Sequence, residues 1–167
     1  MPAKVLRTLL SVIAAVAIGV SLSAAVAQAQ APAKRTAQSR TAHAAKVHKV
    51  AIQVDENNKA TMNLALNNAE NVIEYYKSKG EKVLVEIVTY GPGLHMLRAD
   101  SSPVKDRIAP MALEHSNLIF AACANTRAKM AKAENKEIPL ISEAKITPSG
   151  VVRLMELQGQ GYAYIRP

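Results

Sequence analysis

The chain has 167 residues, a formal net charge of +8 and a single cysteine. This length suffices for one domain with one hydrophobic core, and a single cysteine excludes an internal disulfide. Most of the positive charge belongs to an N-terminal segment with no acidic residue between positions 32 and 49, where the basic residues are Lys34, Arg35, Arg40, Lys46 and Lys49.

The first 29 residues have the layout of a secretory signal peptide. Two basic residues, Lys4 and Arg7, precede an apolar stretch, and small residues follow it. The apolar stretch is shorter than the ~20 residues that a membrane span needs. We therefore expect cleavage, after Ala27 or after Ala29, rather than an uncleaved anchor. The sequence predicts a periplasmic protein that has no membrane partner once residues 1–29 are removed.

Residues 30–46 are predicted to form a flexible basic linker. Small, polar and basic residues dominate this segment, and it has too few large apolar groups to bury. An electrostatic arm for anionic lipid, cell wall or nucleic acid is the alternative. Export and the lack of aromatic residues in the segment argue against nucleic acid as a partner. A single folded domain is expected at 47–167.

The predicted domain alternates strand and helix patterns. Strands are predicted at 47–54, 82–90 and 117–122, within 138–146 and at 162–165, and helices at 59–78, after Ser102-Pro103, at 125–135 and after 148–150. Pro110 lies inside the second helix pattern and predicts a kink or a split there. The alternation predicts an α/β fold, a three-layer α/β/α sandwich around a mainly parallel sheet of about five strands.

The single cysteine, Cys123, follows a predicted strand and precedes a predicted helix. Ligands of open α/β sheets bind beyond the carboxyl ends of the strands, and this loop is predicted to lie there. The backbone N–H groups of Ala124, Asn125 and Thr126, together with the helix dipole, would stabilise a thiolate. Cys123 is then a candidate nucleophile. The alternative is a small, buried, structural cysteine.

A second loop at the same edge carries Gly91-Pro92-Gly93, and His95 follows it. The two glycines permit a close approach of the backbone to a ligand or to the cysteine, although they could also simply end the strand. His95 is a candidate proton partner for the thiol. Phosphate-binding glycine motifs and metal-ligand spacings such as CxxC or HExxH are absent from the sequence. We therefore predict no cofactor and no metal site.

Four stretches resemble the DsrE/DsrF-like family with the YchN-like fold, and in particular its small exported branch. They are NLALNNAENV (63–72), VEIVTYGPGLHML (85–97), FAACANT (120–126) and PSGVVRLMELQGQGYAYIRP (148–167). The resemblance implies an α/β sandwich that assembles into a homotrimer or homohexamer. Some intracellular members carry sulfur as a persulfide on a cysteine, which maps by position onto Cys123.

The sequence departs from those sulfur carriers in two ways. An exported protein does not meet their cytosolic partners, and some of them lack the Asn-Thr pair that follows Cys123. The expected function is a thiol-based sulfur carrier or persulfide-handling protein with a donor or acceptor protein. The alternative is a non-catalytic oligomer that binds a small ligand or a partner and in which the cysteine is structural.

Overall fold

The computed structural model of the protein describes residues 46–167. The predicted signal peptide and all of the predicted linker except Lys46 lie outside the described residues. The elements in this part of the chain are β1 (Val47–Val54), α1 (Lys59–Ser78), β2 (Lys82–Thr89), a 3-10 helix (Gly91–Leu97), α2 (Lys105–Glu114), β3 (Leu118–Cys123), α3 (Ala124–Glu134), β4 (Ala144–Thr147), α4 (Gly150–Gly159) and β5 (Ala163–Ile165).

All five strands pair in parallel in the order β4-β3-β2-β1-β5. Val54 at the end of β1 pairs with Thr89 at the end of β2, and Thr89 pairs with Ala122 in β3. Cys123 pairs with Thr147 at the end of β4. The carboxyl ends of four strands therefore meet at one edge of the sheet, and the predicted parallel sheet is confirmed.

Helices cover both faces of the sheet. On one face, residues such as Ile87 and Phe120 pack against α1, α2 and the 3-10 helix in the larger core cluster. On the other face, Ala121 lies in a smaller cluster with Leu154 and Leu157 of α4. The alternation of side chains along each strand sends successive residues into the two clusters. The three-layer α/β/α architecture follows.

An ion pair joins α4 to the second face. Glu86 of β2 is buried, and each of its carboxylate oxygens accepts a hydrogen bond of 2.7 Å from the guanidinium of Arg153 in α4. These hydrogen bonds raise the pKa of Arg153, although its partial burial lowers it. Because a buried carboxylate is costly without a partner, the pair fixes where α4 lies on the sheet.

The short fourth strand predicted within 138–146 is β4, at the end of that interval. Another local prediction, at Pro110, differs from the structure. Pro110 does not split α2, which runs unbroken from Lys105 to Glu114. The proline leaves only the carbonyl group of Asp106 without its helical donor, and Asp106 is exposed, so water can take that place. Within residues 46–167, no helix combines the length and apolar character needed to cross a membrane.

Candidate functional site

Cys123 ends β3 and serves as the N-cap of α3. Its backbone is extended, and its Sγ accepts a hydrogen bond of 3.4 Å from the backbone N–H of Thr126. The residue is only 4% exposed. Cys123 was predicted to lie at the carboxyl edge of the sheet, immediately before a helix. The structure places it there.

Burial and hydrogen bonding act in opposite directions on this thiol. Burial raises the pKa of Cys123, but the hydroxyl of Thr126 and the backbone N–H groups of Gly150, Thr126 and Asn125 lower it by more. The net pKa lies below the ordinary value because these donors favour the thiolate. The N–H of Asn125 also points to the carbonyl oxygen of Pro148 at 3.3 Å, so this donor is shared.

The N-termini of two helices approach the sulfur. Cys123 caps α3, and Gly150 is the first residue of α4. Each N-terminus offers free N–H groups and the positive end of a helix dipole. Gly150 was not predicted to be a site residue, although a helix start was predicted there. The signal was available, because the loop after the fourth strand must reach the same edge as the loop after the third.

Gly150 approaches so closely because it has no side chain. A Cβ at this position would lie 2.8 Å from the Cβ of Tyr90, a distance that real side chains do not tolerate. Tyr90 directly follows β2 and caps the 3-10 helix, and it was not predicted to be a site residue. The glycine therefore sets the distance between α4 and the carboxyl edge.

The Gly91-Pro92-Gly93 segment, predicted as a loop, forms the first turn of the 3-10 helix. It is connected to Cys123 by way of Thr126. Gly91 has a φ of +50°, and its N–H donates a hydrogen bond of 3.0 Å to Oγ1 of Thr126. Because the hydroxyl accepts from Gly91, its own hydrogen is available to the sulfur. Gly93 is buried against β1, where a Cβ would lie 2.2 Å from the carbonyl oxygen of Val54.

A cleft of about 630 Å³ lies between the 3-10 helix and α3. It is lined by Asn57, Tyr90, Gly91, Pro92, His95, Thr126, Lys129, Met130 and Ala133. The cleft contains three of the predicted site residues besides Thr126. The contribution of α3 was not predicted, because Lys129, Met130 and Ala133 belong to no sequence motif.

Neither His95 nor Ala124 is among the hydrogen-bond donors to the sulfur. Nδ1 of His95 is 3.2 Å from Oγ of Ser101, and no hydrogen bond among the described residues joins His95 to Cys123. The histidine lines the cleft together with Thr126. Ala124 lines a separate, smaller cleft with Arg127 and is not among the donors that lower the pKa of Cys123.

This edge of the sheet carries a buried thiol, Cys123, whose hydrogen-bond donors favour the thiolate form. In residues 46–167, no cluster of three or more His, Cys, Asp or Glu side chains is arranged to hold a metal ion. Neutral donors favour the thiolate form of Cys123, and the small exposure of the residue limits its contact with bulk solvent. Such a group can act as a nucleophile toward a sulfur electrophile that reaches the edge.

No family model matches the sequence, and no curated protein is significantly similar to it. Among solved structures, the fold class is shared with a protein of unknown function, MTH1491 from Methanobacterium thermoautotrophicum. The two are 27% identical and superpose with a TM-score of 0.60, over 72% of this chain and 99% of that chain. The similarity supports the α/β/α fold. It brings no function with it, since that protein's own function is unknown.

Proposed function

We propose that the protein is a periplasmic, thiol-based sulfur carrier or persulfide-handling protein of the DsrE/DsrF-like type, with Cys123 as the sulfur acceptor. The observation that carries the proposal is the place of a buried thiol at the N-cap of α3, where its Sγ accepts a hydrogen bond of 3.4 Å from the N–H of Thr126. Burial alone would raise the pKa of this thiol, so the donors from Thr126, Asn125 and Gly150 must outweigh it. Donors that favour a thiolate in this way are typical of reactive cysteines.

The transfer step needs only a sulfane-sulfur donor, R–S–SH. The thiolate of Cys123 attacks the outer sulfur, a new S–S bond forms at Sγ, and the S–S bond of the donor breaks. The electron pair leaves with R–S⁻, and the proton stays on the transferred sulfur. The products are Cys123–S–SH and a thiolate, so no external oxidant is required. Transfer to an acceptor thiolate is the same step in reverse.

The environment of Cys123 suits a bound persulfide as well as a thiolate. The same N–H groups can donate to an anionic outer sulfur, and the 4% exposure of the residue limits attack by solvent thiols. The proposal assigns the Gly91-Pro92-Gly93 loop a supporting role through Thr126. His95, which lines the adjacent cleft, remains a candidate source of protons for the leaving thiolate.

Intact mass spectrometry tests the proposal. The purified protein is measured before and after incubation with inorganic polysulfide, with Cys123→Ser as the control. We expect the mass of one or more sulfur atoms to be added to the natural protein, to be removed by a reductant, and to be absent from the control. An unmodified thiol that also resists alkylation would contradict the proposal.

The cleft beside Thr126 favours a second candidate function. In this alternative the domain binds a small ligand or a partner protein at the same edge, and Cys123 only fills space. The volume of the cleft lies within the range of ligand sites in proteins. The Cys123→Ser variant separates the two candidates, because a binding protein would keep its ligand while a sulfur carrier would lose its activity.

A further inference from the structure

The cleft between the 3-10 helix and α3 has charge of a single sign. Lys129 carries a positive charge, and none of the lining residues is a carboxylate. Lys129 forms no salt bridge within residues 46–167. Its ammonium group is therefore available to a ligand, and the cleft favours a negative charge over a positive one.

The rest of the lining is mostly apolar. Pro92, Met130, Ala133 and the ring of Tyr90 supply hydrocarbon surface, and Asn57 adds an amide at the rim. A volume of about 630 Å³ is in the range of clefts that hold small organic molecules. A bare inorganic anion would leave this apolar surface in contact with water. The lining is suited to a ligand that has both an apolar body and a charged end.

A second cleft in the same domain, of about 620 Å³, can be compared with the first in the charge of its lining residues. It lies at the opposite edge of the sheet, where its lining includes Lys77 and Lys82 but also Glu81 and Glu114. Both signs of charge are present there, so that cleft has no comparable preference for an anion. The single sign of charge is a property of the cleft beside Thr126.

We propose that the cleft beside Thr126 binds a small organic monoanion, with its apolar body against Pro92, Met130 and Ala133 and its charged end at Lys129. The occupant is a carboxylate, or a molecule of similar charge, with an aliphatic or aromatic body. The inference concerns the cleft alone and holds whether or not Cys123 carries sulfur. It assigns a binding role to the exposed side of α3.

Titration with straight-chain carboxylates tests the chemistry of the site. Hexanoate is added to the purified protein, and binding is followed by calorimetry and by NMR shifts of the backbone amides. We expect the largest shifts at Gly91, Thr126 and Lys129. Affinity should rise about two- to fourfold for each added CH₂ group between butanoate and octanoate. Hexylammonium, which has the same body and the opposite charge, should bind at least tenfold more weakly than hexanoate.

Two variants locate the site. Lys129→Gln should weaken hexanoate binding about fivefold, as expected for loss of an exposed charge partner. Lys132→Gln is the matched control, because it removes the same charge from an exposed position of the same helix outside the cleft. Ala133→Trp should abolish binding by filling the cleft, while the exposed position of Ala133 lets the fold tolerate the change.

The proposal is overturned if hexylammonium binds as tightly as hexanoate, if the two lysine variants weaken binding equally, or if the amide shifts map to the opposite cleft. Absence of any binding up to high millimolar hexanoate would overturn it as well. Sulfur loading of Cys123 is measured separately by mass spectrometry. Failure of the ligand site and failure of the sulfur-carrier function are thus distinguishable.

Discussion

Among single residues, Thr126 connects most of the candidate site. Its hydroxyl accepts a hydrogen bond from the N–H of Gly91 and lowers the pKa of Cys123, while its side chain forms part of the cleft wall. A change in the segment after β2 can therefore alter the pKa of the Cys123 thiol, even though that segment does not contact the sulfur directly. Thr126 is a positioning residue for Cys123 in the proposed function.

Thr126→Val should raise the pKa of the Cys123 thiol. The variant keeps the shape of the side chain but removes the hydroxyl donor, while the burial that raises the pKa persists. The fraction of thiolate at neutral pH then falls, and alkylation by iodoacetamide slows. The pH dependence of the alkylation rate measures the shift. Thr126→Ser, which keeps the hydroxyl, should leave the pKa near that of the natural protein. Equal pKa values in all three proteins would contradict this role.

Between elements, the contact of α4 with the end of β2 places the second helix N-terminus at the sulfur. Gly150 packs against Tyr90. An added Cβ at Gly150 would lie 2.8 Å from the Cβ of Tyr90. The backbone N–H of Gly150 can approach Cys123 only while this contact is kept. The ion pair of Glu86 with Arg153 holds the same helix one turn further along.

Gly150→Ala should lower the free energy of unfolding by about 1–3 kcal/mol, as expected for overpacking, and should raise the pKa of Cys123 as the N–H donor moves away. Urea denaturation and alkylation rates measure the two effects. Gly159→Ala in the same helix is the matched control, since nothing lies within 4 Å of an added Cβ there. That control should be neutral or stabilising by up to about 1 kcal/mol. Equal stability of the two variants would argue against the contact.

For the whole molecule, stability in acid should depend on a cluster around Arg98. This buried guanidinium donates hydrogen bonds to both carboxylate oxygens of Asp100 and of Glu134, and so joins the chain after the 3-10 helix to the end of α3. The hydrogen bonds lower the pKa of Asp100 and lower the pKa of Glu134 to about 2. Lys136 adds to both shifts.

Because the two folded-state pKa values lie below those of the unfolded chain, the unfolded state binds more protons in acid. The contribution of the cluster should be complete above about pH 5 and be lost as the pH falls toward 2. Thermal unfolding followed between pH 7 and pH 2.5 measures this loss. In Arg98→Met the dependence on pH over this range should be weaker, even though the variant is less stable overall. An unchanged pH dependence would exclude the cluster as its source.

The assembly state is a second property of the whole molecule. The resemblance to the DsrE/DsrF-like family leads us to expect a homotrimer or homohexamer. The outer side of α4 carries Val151, Val152 and Met155, which are 51%, 49% and 66% exposed. Neighbouring apolar side chains with such exposure are typical of surfaces that become covered.

Light scattering should give three or six times the mass of the chain. Val151→Asp combined with Met155→Asp should reduce the assembly, because charged residues are disfavoured in the core of an interface. Leu113→Asp is the control, since Leu113 is 89% exposed on α2, which packs on the opposite face of the sheet. A monomer in the natural protein would contradict the expectation.

Much of the fold could be predicted because its signals are local. The spacing of apolar residues in 59–78 and the β-branched runs of β1 and β2 depend on neighbours a few positions away. The alternation of these patterns then implies a parallel sheet. The strand order could not be predicted in the same way. The pairing of β5 with β1 depends on which edge remains open after the other strands have paired.

The sequence alone placed Cys123 at the end of a strand and at the start of a helix, and it placed the glycine loop at the same edge. It could do so because a strand-to-helix boundary and an edge of a parallel sheet both follow from the order of elements. Only the tertiary structure brought Gly150 to the sulfur and placed Lys129 and Met130 opposite Pro92. Those contacts join residues that are distant in the chain, and they depend on how closely the helices pack on the sheet, which no local pattern of residues determines.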